Sequence, residues 1–154
     1  EKKELICDSG GAGKFRGGCG QEIVMRVPTE GRSRARAMVA FVAGGRFKRP
    51  APGLLGGEAG SLSRIMLNGN QTYDSSQEFL LRPGDVVSMQ VSGGGGYASP
   101  LQRNPHLVAM DVRNGIVSPE KAKEHYGVIL KKSSFSVDEG ATLAARETMS
   151  GRTS

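Results

Sequence analysis

Two glycine clusters constrain this chain more than any other feature. The first is Asp8-Ser9-Gly10-Gly11-Ala12-Gly13-Lys14-Phe15-Arg16-Gly17-Gly18, and the second is the run Gly93, Gly94, Gly95 and Gly96 before Tyr97. Glycine reaches backbone angles closed to other residues and lets other atoms approach the main chain, so such clusters demand sharp turns, close backbone contact or a ligand against the peptide groups. The first cluster also carries an acceptor, a hydroxyl and two cations in Asp8, Ser9, Lys14 and Arg16. That set suits an anion or carboxylate site. Known glycine motifs do not fit it. A Walker loop ending at Gly13-Lys14 needs glycine at Asp8 and Ser or Thr at Phe15, and a dinucleotide fingerprint from Gly11 needs glycine at Arg16.

The chain has 154 residues, enough for one domain with a core of its own. It shows no secretory h-region and no apolar stretch near the roughly 18 residues that a membrane span needs. Cys7 and Cys19 are too few for a disulfide framework and match no zinc spacing, so they are read as free thiols. His106 and His125 fall in polar helical segments, and His125 is read as an exposed residue. No Cys/His/Asp cluster supports a metal site within the chain. The net charge of +6 raises nucleic-acid binding. The excess lies between Arg26 and Arg49, but aromatics are only 5% and Trp is absent, so no base-stacking surface is in view. A solvated strand face or subunit contact is the expected use of that stretch.

Along the chain, strands are expected at 5–7, 21–27, 34–42, 61–67, 78–81 and 86–91, with a type II turn at Arg82-Pro83-Gly84-Asp85. Residues 44–60 are Gly/Pro-rich and read as a long ordered loop. Helices follow. Asn104 caps one with Pro105 first, Leu107, Val108 and Val112 on one face, and Gly115 as its stop; Ser118 caps a second with Pro119 first and Gly127 as its end. Ser136-Val137-Asp138-Glu139 reads as a capping box opening a third helix to about Met149. The expected fold is mainly β (α+β), a barrel- or sandwich-like β domain with two or three C-terminal helices. It divides into a glycine-loop β part, 1–97, and a helical extension packed on it, 98–154.

Taken in order, the first glycine cluster, Pro52-Gly53-Leu54-Leu55-Gly56-Gly57, Gly93 to Tyr97, and Ser118-Pro119 through Tyr126-Gly127-Val128 resemble the C-terminal part of hydantoinase B. That family takes in the B subunits of N-methylhydantoinases, the matching half of ATP-dependent 5-oxoprolinases, and related subunits of acetone and acetophenone carboxylases. The resemblance, with the missing initiator methionine, implies a C-terminal domain of a longer cytoplasmic chain, inactive alone. It implies ATP-dependent hydrolysis of a small cyclic amide such as hydantoin, N-methylhydantoin or 5-oxoproline. ATP and Mg are expected on a hydantoinase A-type partner subunit, no cofactor in this chain, and a divalent metal in the preceding part of the subunit. A homo-oligomer is left open. The alternatives are a non-catalytic scaffold or subunit-binding module, and a subunit of a related ATP-dependent ketone carboxylase.

Where the family pattern runs Gly-Tyr-Gly-Asp-Pro-Leu-Glu-Arg-Asp-Pro, this chain has Gly96-Tyr97-Ala98-Ser99-Pro100-Leu101-Gln102-Arg103-Asn104-Pro105. Three acids are replaced by Ser99, Gln102 and Asn104, which removes acid/base or metal chemistry from that stretch. The candidates for contact with substrate or partner are therefore Asp8, Ser9, Gly10, Gly11, Lys14, Arg16, Gly93, Gly94, Gly95, Gly96 and Tyr97, with Arg49 a weaker one; no catalytic residue is assigned. Paired cations with backbone N–H groups would suit a carboxylate or an acyl-phosphate.

Overall fold

The computed structural model describes residues 2–29, 37–40, 46–73, 78–132 and 134–151. Half of the basic stretch Arg26 to Arg49, residues 30–36 and 41–45, lies outside them.

Among the described residues, alternating and β-branched runs form seven strands: β1 (Lys2–Leu5), β2 (Gln21–Arg26), β3 (Ala37–Ala40), β4 (Arg64–Leu67), β5 (Gln71–Tyr73), β6 (Glu78–Leu81) and β7 (Val86–Val91). Five make one antiparallel sheet in the order β1-β2-β7-β4-β5, and β3 pairs with β6 as a second, two-stranded sheet. The five-stranded sheet is open, with β1 and β5 at its edges. The register places Ile23 and Ile65 on either side of Met89, and Leu67 opposite Val87. Successive side chains alternate faces, so this face becomes apolar. Ile65, Leu67 and Val87 are buried on it together with Phe79 and Leu81 of β6. The second sheet thus closes over the first, and the fold takes the sandwich-like form.

The opposite face is polar. Glu22 accepts from Lys2 Nζ at 2.9 Å, Ser88 Oγ at 3.0 Å and Gln90 Nε2 at 3.0 Å. These three donors, Lys2 first, lower its carboxyl pKa from an ordinary 4.5 to about 2. Folding therefore gains stability that is fully present above the unfolded pKa and is lost as the pH falls from about 5 towards 2. With allowance for solvent screening, Glu22→Gln should lower stability at pH 7 by about 1–2 kcal/mol. The gap between variant and wild type should narrow in urea titrations at pH 3, because the unfolded carboxyl, at its ordinary 4.5, binds a proton there while the folded one does not.

Three corrections concern the strands, two of them strand ends and the third the added strand β5. The first strand is Lys2–Leu5, not 5–7, because after one further bond, Ile6 N–H to Gly20 O at 2.9 Å, Asp8 turns the chain with φ 60°. The strand expected at 61–67 begins at Arg64, because Ser61 and Ser63 accept from the N–H groups of Gly93 and Ser92 instead. Strand β5 follows a tight turn at Asn68-Gly69, with φ 51° and 75° and Asn70 N–H donating to Leu67 O. Two left-handed residues between paired strands form the hairpin turn that Asn-Gly favours. The turn at 82–85 is as expected, with Gly84 at φ 91° and Asp85 N–H donating to Arg82 O.

The helices are α1 (Pro105–Arg113), α2 (Pro119–Tyr126) and α3 (Glu139–Ser150), after a 3-10 turn at Pro100–Gln102. Asn104 and Ser118 cap α1 and α2 by accepting from His106 N–H and Lys121 N–H, and Gly127 ends α2 in the left-handed region. The cap of α3 is Asp138, accepting from Ala141 N–H, and not Ser136. Ser136 instead shares a 2.8 Å hydroxyl contact with Ser134, and Val137 bridges to Leu130. The inward face of α1 is Val108, Ala109, Asp111 and Val112, with Leu107 turned outward. Val108, Ala109, Val112, Val117, Ala122, Tyr126, Val128 and Val137 form a second core that also takes in Ala12 of the glycine cluster. Each large side chain buried there is worth about 1.5–3 kcal/mol.

Candidate functional site

The two glycine clusters meet a third glycine-rich stretch, and backbone packs directly on backbone. Residues 9–20, 51–60 and 93–98 hydrogen-bond across to one another. Gly11 N–H donates to Gly94 O, Gly94 N–H to Gly18 O, Glu58 N–H to Ala12 O, Gly96 N–H to Glu58 O and Leu54 N–H to Gly96 O, all between 2.7 and 2.9 Å. Glycines that face one another come three residues apart, Gly93 and Gly96 on one stretch against Gly60 and Gly57 on another. A Cβ on Gly93 or on Gly96 would enter the 9–12 backbone, one on Gly95 would enter Pro52, and one on Gly94 would approach Gly17-Gly18. On the facing stretch, Gly57 opposes Gly96 and Gly60 opposes Gly93. Three residues per turn is the period of polyproline-II-type chains, which need glycine wherever they crowd together.

Most of the candidate polar groups are used within this assembly. Ser9 Oγ donates to Ile6 O at 2.6 Å and accepts from Gly20 N–H at 2.7 Å. Asp8 Oδ1 accepts from Ser118 N–H at 2.8 Å, and Lys121 Nζ donates to the carbonyls of Asp8 and Gly10 at 2.9 and 3.2 Å. Together these contacts fasten the start of α2 to the glycine assembly. Arg16 lies against the buried Asp111, Nε to Oδ2 at 3.2 Å, and Arg103 Nη2 meets the same oxygen at 2.8 Å. Arg103 Nη1 also donates to Lys14 O at 3.0 Å. The Nε groups of both arginines are buried without a hydrogen bond, so Asp111 carries their charge largely alone. Beside this cluster, burial pushes the Tyr126 phenol above its ordinary pKa, and Gly13 hydrogen-bonds to it from the backbone.

The amides of Gly11, Gly93, Gly94 and Gly96 are also engaged, the second with Ser61 Oγ and the others with backbone carbonyls. What remains outward is Lys14 and Tyr97. Tyr97 bridges both Phe15 and Leu54, its ring lies 6.3 Å from that of Phe15, and Lys14 Nζ stands 6.0 Å from the Phe15 centroid. Arg49 is exposed, apart from the glycine assembly's hydrogen bonds.

Sequence reasoning missed Asp111, although a lone carboxylate between Val108 and Val112 on the apolar side of α1 marks a buried charge in need of partners. It also missed the partner of His125, which is half-buried with Nδ1 2.6 Å from Glu58 Oε2. Cys7 and Cys19 are free. Among the described residues, no three His, Cys, Asp or Glu side chains gather closely enough to hold a metal ion, and no helix is long and apolar enough to cross a membrane.

Ala98 stands at φ 58°, a left-handed position where the family pattern has glycine. Likeness to known proteins extends well beyond that motif. The chain is 36% identical over 150 residues to caprolactamase subunit beta of Pseudomonas jessenii, covering 92% of this chain and 25% of the relative. The crystal structure of that organism's ATP-dependent caprolactamase matches with a TM-score of 0.73 and 31% identity, over 96% of this chain and 26% of the other. A nucleotide-free acetone carboxylase, described with the mechanism of ATP-dependent acetone carboxylation, matches with a TM-score of 0.77 and 26% identity, over 99% of this chain and 24% of the other. The chain thus spans about a quarter of the length of these relatives. With residues 1–100 matching the family model described as hydantoinase B/oxoprolinase, the chain belongs to that family.

Proposed function

We propose that the chain is the C-terminal domain of a cytoplasmic subunit that, with an A-type ATPase partner, hydrolyses a small cyclic amide at the expense of ATP. The observation that carries this reading is the 36% identity to a caprolactamase subunit across nearly the whole chain. A lactam is a cyclic amide, the bond class shared by hydantoins and 5-oxoproline. In this reading ATP and Mg bind the partner, and a divalent metal, where one is used, belongs to the rest of the subunit. This domain supplies a rigid glycine scaffold, from which Lys14 and Tyr97 are the candidate side chains that make contacts beyond the domain.

A second reading is ATP-dependent ketone carboxylation, favoured by the TM-score of 0.77 to acetone carboxylase. One experiment separates the two. The relative-length subunit carrying this domain is mixed with its ATPase partner, and ADP release is followed with hydantoin, N-methylhydantoin, 5-oxoproline or caprolactam, and with acetone or acetophenone plus bicarbonate. Release with a ring amide alone is the expected result. Release only with a ketone and bicarbonate would install the second reading, and release with none of them would overturn both.

A further inference from the structure

The glycine assembly carries on its outer side an apolar patch that no described residue covers. Phe15 and Leu54 both bridge to Tyr97, one antiparallel and one parallel, and bridged residues present their side chains to the same face. All three are large, and they are 62%, 61% and 46% exposed. Leu55, next in the chain, is 74% exposed and held at φ 49°, with Ala98 at φ 58° beside Tyr97. Left-handed backbone is costly for residues other than glycine and persists where the surroundings impose it, often at binding surfaces. Lys14 stands at the rim of the patch, near the Phe15 ring. Contiguous exposed apolar surface with a charged rim marks a contact site.

We propose that this face, centred on Tyr97 with Phe15, Leu54 and Leu55, docks the domain onto the remainder of its own subunit, against an apolar surface with a carboxylate facing Lys14. The inference rests on the proposed function, in which this chain is one domain of a longer subunit. The length of the relatives argues for that occupant. They are about four times as long as this chain, so a domain of this size has a larger body of the same polypeptide to pack against. The patch is rigid because the backbone beneath it is locked by hydrogen bonds from Lys14, Phe15, Tyr97 and Ala98. A preformed surface of this kind binds with little ordering cost.

Hydroxyl-radical footprinting of the relative-length subunit, purified without its ATPase partner, tests this directly. Leu143 of α3, 63% exposed, serves as the internal reference. Phe15, Leu54 and Tyr97 should oxidise about tenfold more slowly than their intrinsic reactivity relative to Leu143 would give. Leu54→Glu should restore oxidation of Tyr97 about fivefold while Tyr126 stays protected, which shows that the domain itself remains folded. Full reactivity of the patch in the isolated subunit would overturn the proposal. So would protection that appears only on adding the ATPase partner, or only at concentrations where the subunit self-associates. ADP release in the same preparations separates the two ideas. Turnover with an open patch would refute the docking alone, and a protected patch without turnover on any substrate would refute the reaction alone.

Discussion

Gly17→Ala is expected to destabilise the domain by about 3 kcal/mol or more, while Gly18→Ala, one residue along, changes stability by no more than about 0.5–1 kcal/mol and in the favourable direction. A Cβ on Gly17 would stand against the Gly94 carbonyl far inside van der Waals contact, with Gly95 O at 3.0 Å. Both are backbone atoms, so no side chain can swing aside to relieve the clash. A Cβ on Gly18 meets nothing within 4 Å, and the methyl group narrows the unfolded ensemble. Because Gly18 O accepts from Gly94 N–H in either case, the comparison isolates the steric effect. Urea unfolding of the two variants measures it. Equal midpoints would mean that the three glycine stretches do not pack as described.

Asp111→Asn should cost about 3–5 kcal/mol, the range for breaking a buried ion pair and leaving its partner uncompensated. Two guanidinium groups depend on this one carboxylate, and it lies on the inward face of α1. The loss should reach beyond that helix. Arg16 belongs to the first glycine stretch and Arg103 Nη1 holds Lys14 O, so that stretch loses one of its two anchorages to the helices, the one at Ser118 and Lys121 remaining. A double-mutant cycle of Asp111→Asn with Arg103→Met is expected to show a coupling of about 1–3 kcal/mol. Additive losses would mean that the two residues do not act through each other.

The helices were largely legible because their start and stop signals are local. Asn104-Pro105, Ser118-Pro119 and Gly127 act within one turn, whatever surrounds them. The cap of α3 slipped from Ser136 to Asp138 because tertiary contacts of Ser134 and Leu130 claimed the preceding residues. The hairpin at Asn68-Gly69 carries a local signal as well, because Asn-Gly favours the pair of left-handed residues that a two-residue turn needs. The glycine clusters announced close backbone approach, but not which chains approach. Partners such as Gly96 with Gly57, or Arg16 with Asp111, are brought together only by the whole fold. Periodicity offers no means of pairing stretches that have no side chains to alternate. For the same reason a cluster of Asp8, Ser9 and Arg16 that resembles an anion cradle in sequence has its polar groups engaged inside the fold.

The threefold glycine packing also bears on thermodynamics. It removes peptide groups from water far more than hydrocarbon, and the exposure of polar surface lowers the heat capacity of unfolding whereas apolar surface raises it. The glycine assembly therefore flattens the stability curve that the Val108, Val112 and Tyr126 core would otherwise bend. Cooling weakens the hydrocarbon contribution of that core, while the hydrogen-bonded glycine backbone keeps its share of the cohesion.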